Sequence, residues 1–534
     1  MAAEDCLDRA TTMKLNVPAS GRDSATTMRA LRTLALSVLL AGPAAIAGTG
    51  TAKASTHATI VGHTATPAVT WTACPGHKSF RCARIAVPIE YAHPSLGTIK
   101  LLVIMLPALA VHPLGDVFLN PGGPGGSGVQ FLEEAASDFP SSLRANFNLV
   151  SWDPRGVGGS TPAVKCINAA ETREFAQLPP NPVTSAQLKL VVSGTKRFVA
   201  ECKKNTPAVV LANVGTRTTV EDLDTIRADL GQPKLNYLGF SYGTYLGELY
   251  AQRYPTHIRA MVLDGVVNPA LGLAAYDESQ ALGFEGNLKA FFIWCNANSA
   301  CHKALPSGAK AEYDELFAKF AAGVYETAHF KPKFGGVQKV DMGVAELGVI
   351  GALYTKDYWP TLGQAISNAL QGNGLYLAFL AYFVYGEESE TTGQFPNEQD
   401  AEVAIDCLDS PTPHNFPFYE QLAQRLSRVA PDFGGSEAWS SLICAYWPYR
   451  AQGKPAPIHA PGTPKILVVG STNDPATPYA WAKAVARQLD NAELLTRSGS
   501  GHTGYLFSSC VRSFVDQYLI SLRLPPEGKI CPSD

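Results

Sequence analysis

Charge is scarce in this 534-residue chain and neither sign prevails. Asp, Glu, Lys and Arg make up 17% of it, 43 basic against 46 acidic residues, for a formal net charge of −3. No long basic run interrupts that balance, so the electrostatic footprint of a nucleic-acid partner is missing. Coiled-coil heptads, zinc-type Cys/His spacing and solenoid repeats are also missing, and no ligand cluster suggests a metal or other cofactor. The apolar run from Leu34 to Ala47 is shorter than the roughly 18 residues expected of a membrane span. What is abundant is apolar matter: hydrophobic residues form 46% of the chain, enough for one enlarged core or two domains.

That short apolar run has its own meaning. Arg29 and Arg32 precede it, and small residues follow it to Ala52-Lys53-Ala54. This is the order of a secretory signal peptide, with cleavage expected near Ala54 and a secreted, extracytoplasmic mature chain. A retained N-terminal anchor is the alternative. Met28 stands just before the basic residues, so either Met1 or Met28 fits as the start. Of the 11 cysteines, Cys6 falls in this leader, and the ten left form an even set in a chain marked for export. Their order suggests local pairs: Cys74 with Cys82, Cys166 with Cys202, Cys295 with Cys301, Cys407 with Cys444, and Cys510 with Cys531. Buried free thiols are the alternative.

From Ile85 onward, short β-type runs alternate with helical segments. Ile85–Tyr91 and Ile99–Leu106 read as a strand pair, and Val117–Leu119 and Phe147–Trp152 as strands ending in Gly- and Pro-rich turns. Thr219–Leu230 carries Leu223, Ile226 and Leu230 on one helical face, with Gly231 as its stop. Leu235–Phe240 and Ala260–Leu263 read as further strands. Residues from about 270 to 455 are mainly helical and irregular, and strand signals return only at Ile466–Val469 and Leu494–Leu495. The pattern predicts an α/β fold with a mainly parallel sheet and a large helical cap inserted before the last two strands. The expected divisions are a leader at 1–54, core at 55–270, cap at 271–455 and core again at 456–534.

The chemistry is carried by a few segments. Gly239-Phe240-Ser241-Tyr242-Gly243 is a Gly-Xaa-Ser-Xaa-Gly turn between a strand and an amphipathic helix, the setting in which a serine becomes an exposed nucleophile. A serine hydroxyl needs an adjacent base. His502, in a glycine-rich loop after the last expected strand, is the candidate. Asp474, in the loop after Ile466–Gly470, is the candidate acid that orients it. Asp264, ending the strand after the nucleophile helix, competes for that role. Oxyanion donors are expected at the amides of Tyr242 and of Gly123, the latter within Asn120–Gly128. That glycine-rich stretch lacks the lysine of a Walker A loop.

Together these residues resemble the tripeptidyl aminopeptidase-like branch of the α/β-hydrolases, related to the proline iminopeptidases. The resemblance rests on Asn120–Gly128, Trp152–Ser160, the Ser241 turn, Asp474-Pro475-Ala476-Thr477-Pro478 and His502, and runs from about Trp71 to the C-terminus. It implies a cap over the sheet, export, disulfides and serine-dependent cleavage near a peptide's free N-terminus. Asp153 and Arg155 would then brace the loop beside the catalytic groups. A carboxylate should pair with the substrate ammonium; Asp409, in a segment resembling the family's cap-to-core junction, is one candidate. Glu387, Glu388 and Glu390 are others, though such a charge run also suits a solvated face. The same machinery would serve an esterase or lipase, and a non-catalytic binding protein is the third reading.

Overall fold

The computed structural model describes residues 69–533 apart from 330–336, 387, 390 and 391. The expected leader with Cys6, and the candidates Glu387 and Glu390, lie outside the described residues. Seven strands precede the helical region: β1 (Thr72–Cys74), β2 (His77–Pro88), β3 (Thr98–Leu106), β4 (Gly115–Asn120), β5 (Phe147–Trp152), β6 (Leu235–Phe240) and β7 (Ile258–Asp264). A hairpin, β8 (Glu326–His329) with β9 (Val337–Val340), falls inside that region. Then come β10 (Ile466–Asn473), β11 (Ala492–Ser500) and β12 (Ile530–Cys531).

Ten of these strands form one sheet, in the order β1-β2-β3-β5-β4-β6-β7-β10-β11-β12. The three pairings from β1 to β5 are antiparallel and the six from β5 to β12 parallel. The sheet is thus mainly parallel, as the alternation of strand and helix implied. One correction concerns the count after the insertion. Three strands follow it rather than two, because Ile530–Cys531 pairs with Thr496 and Arg497 of β11. Two residues are too few to show a periodicity of their own; the Cys510–Cys531 bridge anchors them.

Period-2 alternation divides the core between the two faces of the sheet. Val117, Leu119, Leu238, Phe240, Leu467 and Val469 face one layer, which includes Phe131 of helix Gly128–Ala135 and Val511 and Val515 of helix Ser509–Ser521. Phe118, Leu235, Tyr237, Ile466 and Val468 face the other, with Leu223 and Ile226 of helix Thr216–Asp229 and Leu246 and Tyr250 of helix Tyr242–Arg253. Central strands buried on both faces read as continuous apolar runs for this reason.

Between β7 and β10 the described residues are mainly helical, apart from the β8–β9 hairpin and the connecting loops, and have a core of their own around Phe284, Leu288, Phe291, Val349, Trp359, Leu362 and Leu380. Three of these helices bear on the site: α1 (Met342–Leu353), α2 (Glu398–Asp409) and α3 (Gly434–Ser440). Asn397, before α2, donates to the carbonyls of Gly156 and Val164 at 2.8 Å each and accepts from the Gly158 amide at 2.9 Å. Those bonds dock the start of α2 onto the loop after β5. All five cysteine pairs read from chain order are bonded, with S–S distances of 1.91–2.05 Å.

Candidate active site

Ser241 sits between the end of β6 and the start of helix Tyr242–Arg253, at φ 53° and ψ −128°, and is one of three non-glycine residues with positive φ among the described residues. Such a conformation persists only where the surroundings over-determine it. Here the Ser241 amide donates to the Asp264 carbonyl at 2.9 Å. The flanking glycines are required sterically. A Cβ at Gly239 would lie 2.5 Å from the Gly243 carbonyl oxygen, and one at Gly243 2.7 Å from Asn120 Oδ1. The Ser241 side chain is buried and its Oγ has no hydrogen-bond partner.

His502 is 2% exposed and follows β11. Its Nδ1 donates to Asp474, at 2.9 Å to Oδ1 and 3.1 Å to Oδ2, and lies 3.2 Å from the Thr477 hydroxyl. The ring's other nitrogen, Nε2, has no partner. With the Nδ1 proton directed at a carboxylate, Nε2 presents a lone pair. Asp474 is itself fixed, accepting from the amides of Ala476, Thr477 and Thr503. Its competitor, Asp264, accepts instead from the Gly504 and Tyr505 amides and has no bond to the ring. Burial pushes the Asp264 carboxyl up to about 6, against those two amide bonds. Asp264 therefore ties the Ser241 turn to the His502 loop through its main chain and side chain.

The glycine-rich loop after β4 passes directly over the Ser241 turn. A Cβ on Gly122 would stand 2.9 Å from Ser241 Cβ and 3.2 Å from the Tyr242 nitrogen. Gly123 follows at φ 114°. Tyr242 opens a helix, so its amide has no carbonyl one turn back to bond. Asp153 braces the far end of this loop, accepting from Ser127 Oγ at 2.6 Å and from the amides of Val129 and Gly159. Arg155 points elsewhere. Fully buried, it pairs with Asp222 at 2.6 Å and donates to the carbonyls of Pro88, Ile89 and Asn213.

The two described substrate-binding candidates, Asp409 and Glu388, are already engaged. Asp409 accepts from the Thr216 amide at 2.8 Å and from its hydroxyl, which also bonds the Tyr242 hydroxyl. Burial holds the Asp409 carboxyl up at about 7. Glu388 is paired with Arg173 at 2.8 Å. Two neighbours of His502 carried no expectation. Thr477 stands three residues after Asp474, a spacing at which an aspartate commonly bonds the chain ahead of it, so the motif held a signal for it. Tyr354, whose carbonyl accepts from the His502 amide at 2.8 Å and whose ring packs edge-on to it, comes from the helical insertion and is brought there only by tertiary folding. Among the described residues, no group of three or more His, Cys, Asp or Glu is placed to hold a metal ion.

Two family matches cover much of the chain: the alpha/beta hydrolase fold over residues 117–318 and the TAP-like protein family over residues 430–531. Serine protease Hip1 of Mycobacterium tuberculosis is 33% identical over 459 residues, covering 84% of this chain and 87% of that one. A protein from the same organism named carboxylesterase B is 33% identical over 460 residues, covering 85% and 86%. A tripeptidyl aminopeptidase of Streptomyces lividans is 32% identical over 468 residues, covering 85% and 84%.

Proposed function

The chain belongs to the α/β-hydrolase family, in the branch with a TAP-like C-terminal region, and is a serine hydrolase; on that footing we propose that it is an exported exopeptidase releasing short peptides, tripeptides among them, from free N-termini. The observation that carries the chemistry is a complementary pair of unsatisfied atoms. Ser241 Oγ and His502 Nε2 are both buried without a partner, while Nδ1 of the same ring is held by Asp474. In this reading Nε2 takes the Ser241 proton as Oγ attacks the scissile carbonyl. The tetrahedral oxyanion is received by the amides of Gly123 and Tyr242. The imidazolium, stabilised by Asp474, then protonates the leaving amine, and an acyl-enzyme remains. Water, deprotonated by the same nitrogen, releases the acyl peptide and restores Ser241. No cofactor enters the cycle.

Export is supported by the five bonded cysteine pairs, which suit an oxidising compartment. The described residues contain no helix long and apolar enough to cross a membrane. In the same reading, residues 271–455 are the cap that decides which substrates reach Ser241. A chromogenic panel tests the proposal: free-amine tripeptide anilides, their N-acetyl counterparts, single amino-acid anilides and short-chain esters. Preference for the free-amine tripeptides is expected. Preference for blocked peptides would overturn the exopeptidase reading, and turnover of esters alone would favour a carboxylesterase, the name one relative bears.

A further inference from the structure

A cavity of about 260 Å³ lies among α1, α2, α3 and the segment around Phe175–Thr195. It approaches the size of small-molecule sites, roughly 300–1,000 Å³. Its walls are largely apolar, with Phe175, Leu347, Ile350, Val403 and Trp439 among them. Its ionisable residues are all acidic: Glu346 from α1, Glu402 and Asp406 one turn apart on α2, and Glu437 from α3, with no Lys, Arg or His in the lining. Glu437 is 5% exposed, and its Oε2 is buried with no hydrogen-bond partner. A buried polar atom left unpaired in a folded protein calls for an explanation. In a lining that holds carboxyls and no cation, a cationic guest supplies one.

Two of the helices that line the cavity also lead to the catalytic groups. Tyr354, which follows α1, bonds and packs against His502 and lies within electrostatic reach of Glu402, Glu437 and Asp474 together. The backbone of α2 at Glu398 and Glu402 lies against Gly125, at 2.4 and 2.9 Å from where its Cβ would stand. Asp409, at the end of α2, is linked through Thr216 to Tyr242.

We propose that this cavity receives the N-terminal residue of the substrate, with its free α-ammonium paired to Glu437 and flanked by Glu402, Asp406 and Glu346, and an apolar side chain against Phe175, Leu347 and Trp439. The inference rests on the exopeptidase reading and names the groups that would enforce it. Burial, with Asp277 and Glu346 nearby, pushes the Glu437 carboxyl well above the usual range; burial with Glu402 and Asp409 does the same for Asp406, and burial holds Glu346 at about 8. An ammonium ion among them would offset that penalty, since an opposite charge favours the ionised carboxylate. N-acetylation removes the charge and leaves the carboxyls unmatched, which is the physical basis of selection for a free terminus.

The test measures kcat and KM on Leu-initiated and Asp-initiated tripeptide anilides, each free and N-acetylated, for the wild type, Glu437→Gln and Asp406→Asn. The wild type is expected to favour the free, Leu-initiated substrate. Each variant is expected to lower the free-to-acetyl ratio of kcat/KM at least tenfold, chiefly through KM. Labelling of Ser241 by an alkyl fluorophosphonate identifies variants that have folded, and Asp406→Asn stands in where Glu437→Gln does not. A parallel loss on both substrates, leaving the ratio unchanged, would mean a structural role and overturn the inference. A wild type indifferent to acetylation would instead sink the exopeptidase reading beneath it.

Discussion

Ser241 stands far ahead of Asp474 and His502 in the chain, yet the sequence singles out all three, because the chemistry proposed for them constrains their neighbours. The glycines around Ser241 exist because a Cβ would strike the next strand or turn, and that steric demand is visible in five letters. Asp474 and His502 follow late strands, where side chains gather above the sheet. Asp474→Asn should lower kcat about 10⁴-fold with little change in KM, because the amide favours the wrong imidazole tautomer; steady-state kinetics on a cleaved peptide anilide would check it, and a loss of less than tenfold would count against the role. Arg155 makes a separate case. Its expected part, bracing the catalytic loop, belongs to Asp153 alone, while Arg155 is buried against Asp222. Arg155→Ala would leave that carboxylate unpaired and should destabilise the fold by about 3–5 kcal/mol, read from denaturant unfolding. The acidic lining of the cavity was not legible, because Glu346, Asp406 and Glu437 converge from three helices with no common spacing.

Elements emerged from the sequence wherever period and punctuation agreed. β5 and β6 span the residues expected of them, since each is an apolar run closed by a turn. Shorter pieces escaped. β1 has three residues, β12 has two, and the hairpin β8–β9 sits in a region otherwise helical, so none offers enough alternation to detect. The glycine-rich loop after β4 gives a sharp prediction. Gly122 is at φ 102°, and a Cβ there would approach the Phe240 carbonyl oxygen to 2.6 Å. Gly122→Ala should therefore displace the loop from the Ser241 turn and lower kcat about 10²-fold or more, the scale of losing one oxyanion donor. Activity close to wild type would show that the loop is not held there. The Cys407–Cys444 bridge ties the end of α2 to the segment after α3. Replacing both cysteines with serine should lower stability by about 2–4 kcal/mol in denaturant titrations.

At the scale of the whole molecule, alternation of strand and helix implied the parallel sheet, and strand signals thin out after Pro269, where the elements become mainly helical. Neither pattern could say how the helices between β7 and β10 pack, because their apolar residues fill a core of their own. Buried carboxyls are the price of this arrangement: Asp264 is raised to about 6, Asp400 and Asp409 to about 7, and Glu398 to about 8, each mainly by burial. Between its ordinary value near 4 and its folded value, such a group holds more proton in the native state than unfolded, so stability falls as pH rises through that window. The thermal midpoint should thus be higher at pH 5 than at pH 8 in calorimetry; a midpoint rising steadily across that range would contradict these shifts. The central claim, that Ser241 is the nucleophile activated by His502, is tested most directly by the intact mass of the protein after treatment with an alkyl fluorophosphonate. The account predicts one phosphonyl adduct, mapped by peptide mass to Ser241, sharply slowed in His502→Ala and absent in Ser241→Ala; an adduct that persists in Ser241→Ala at the wild-type rate would contradict it.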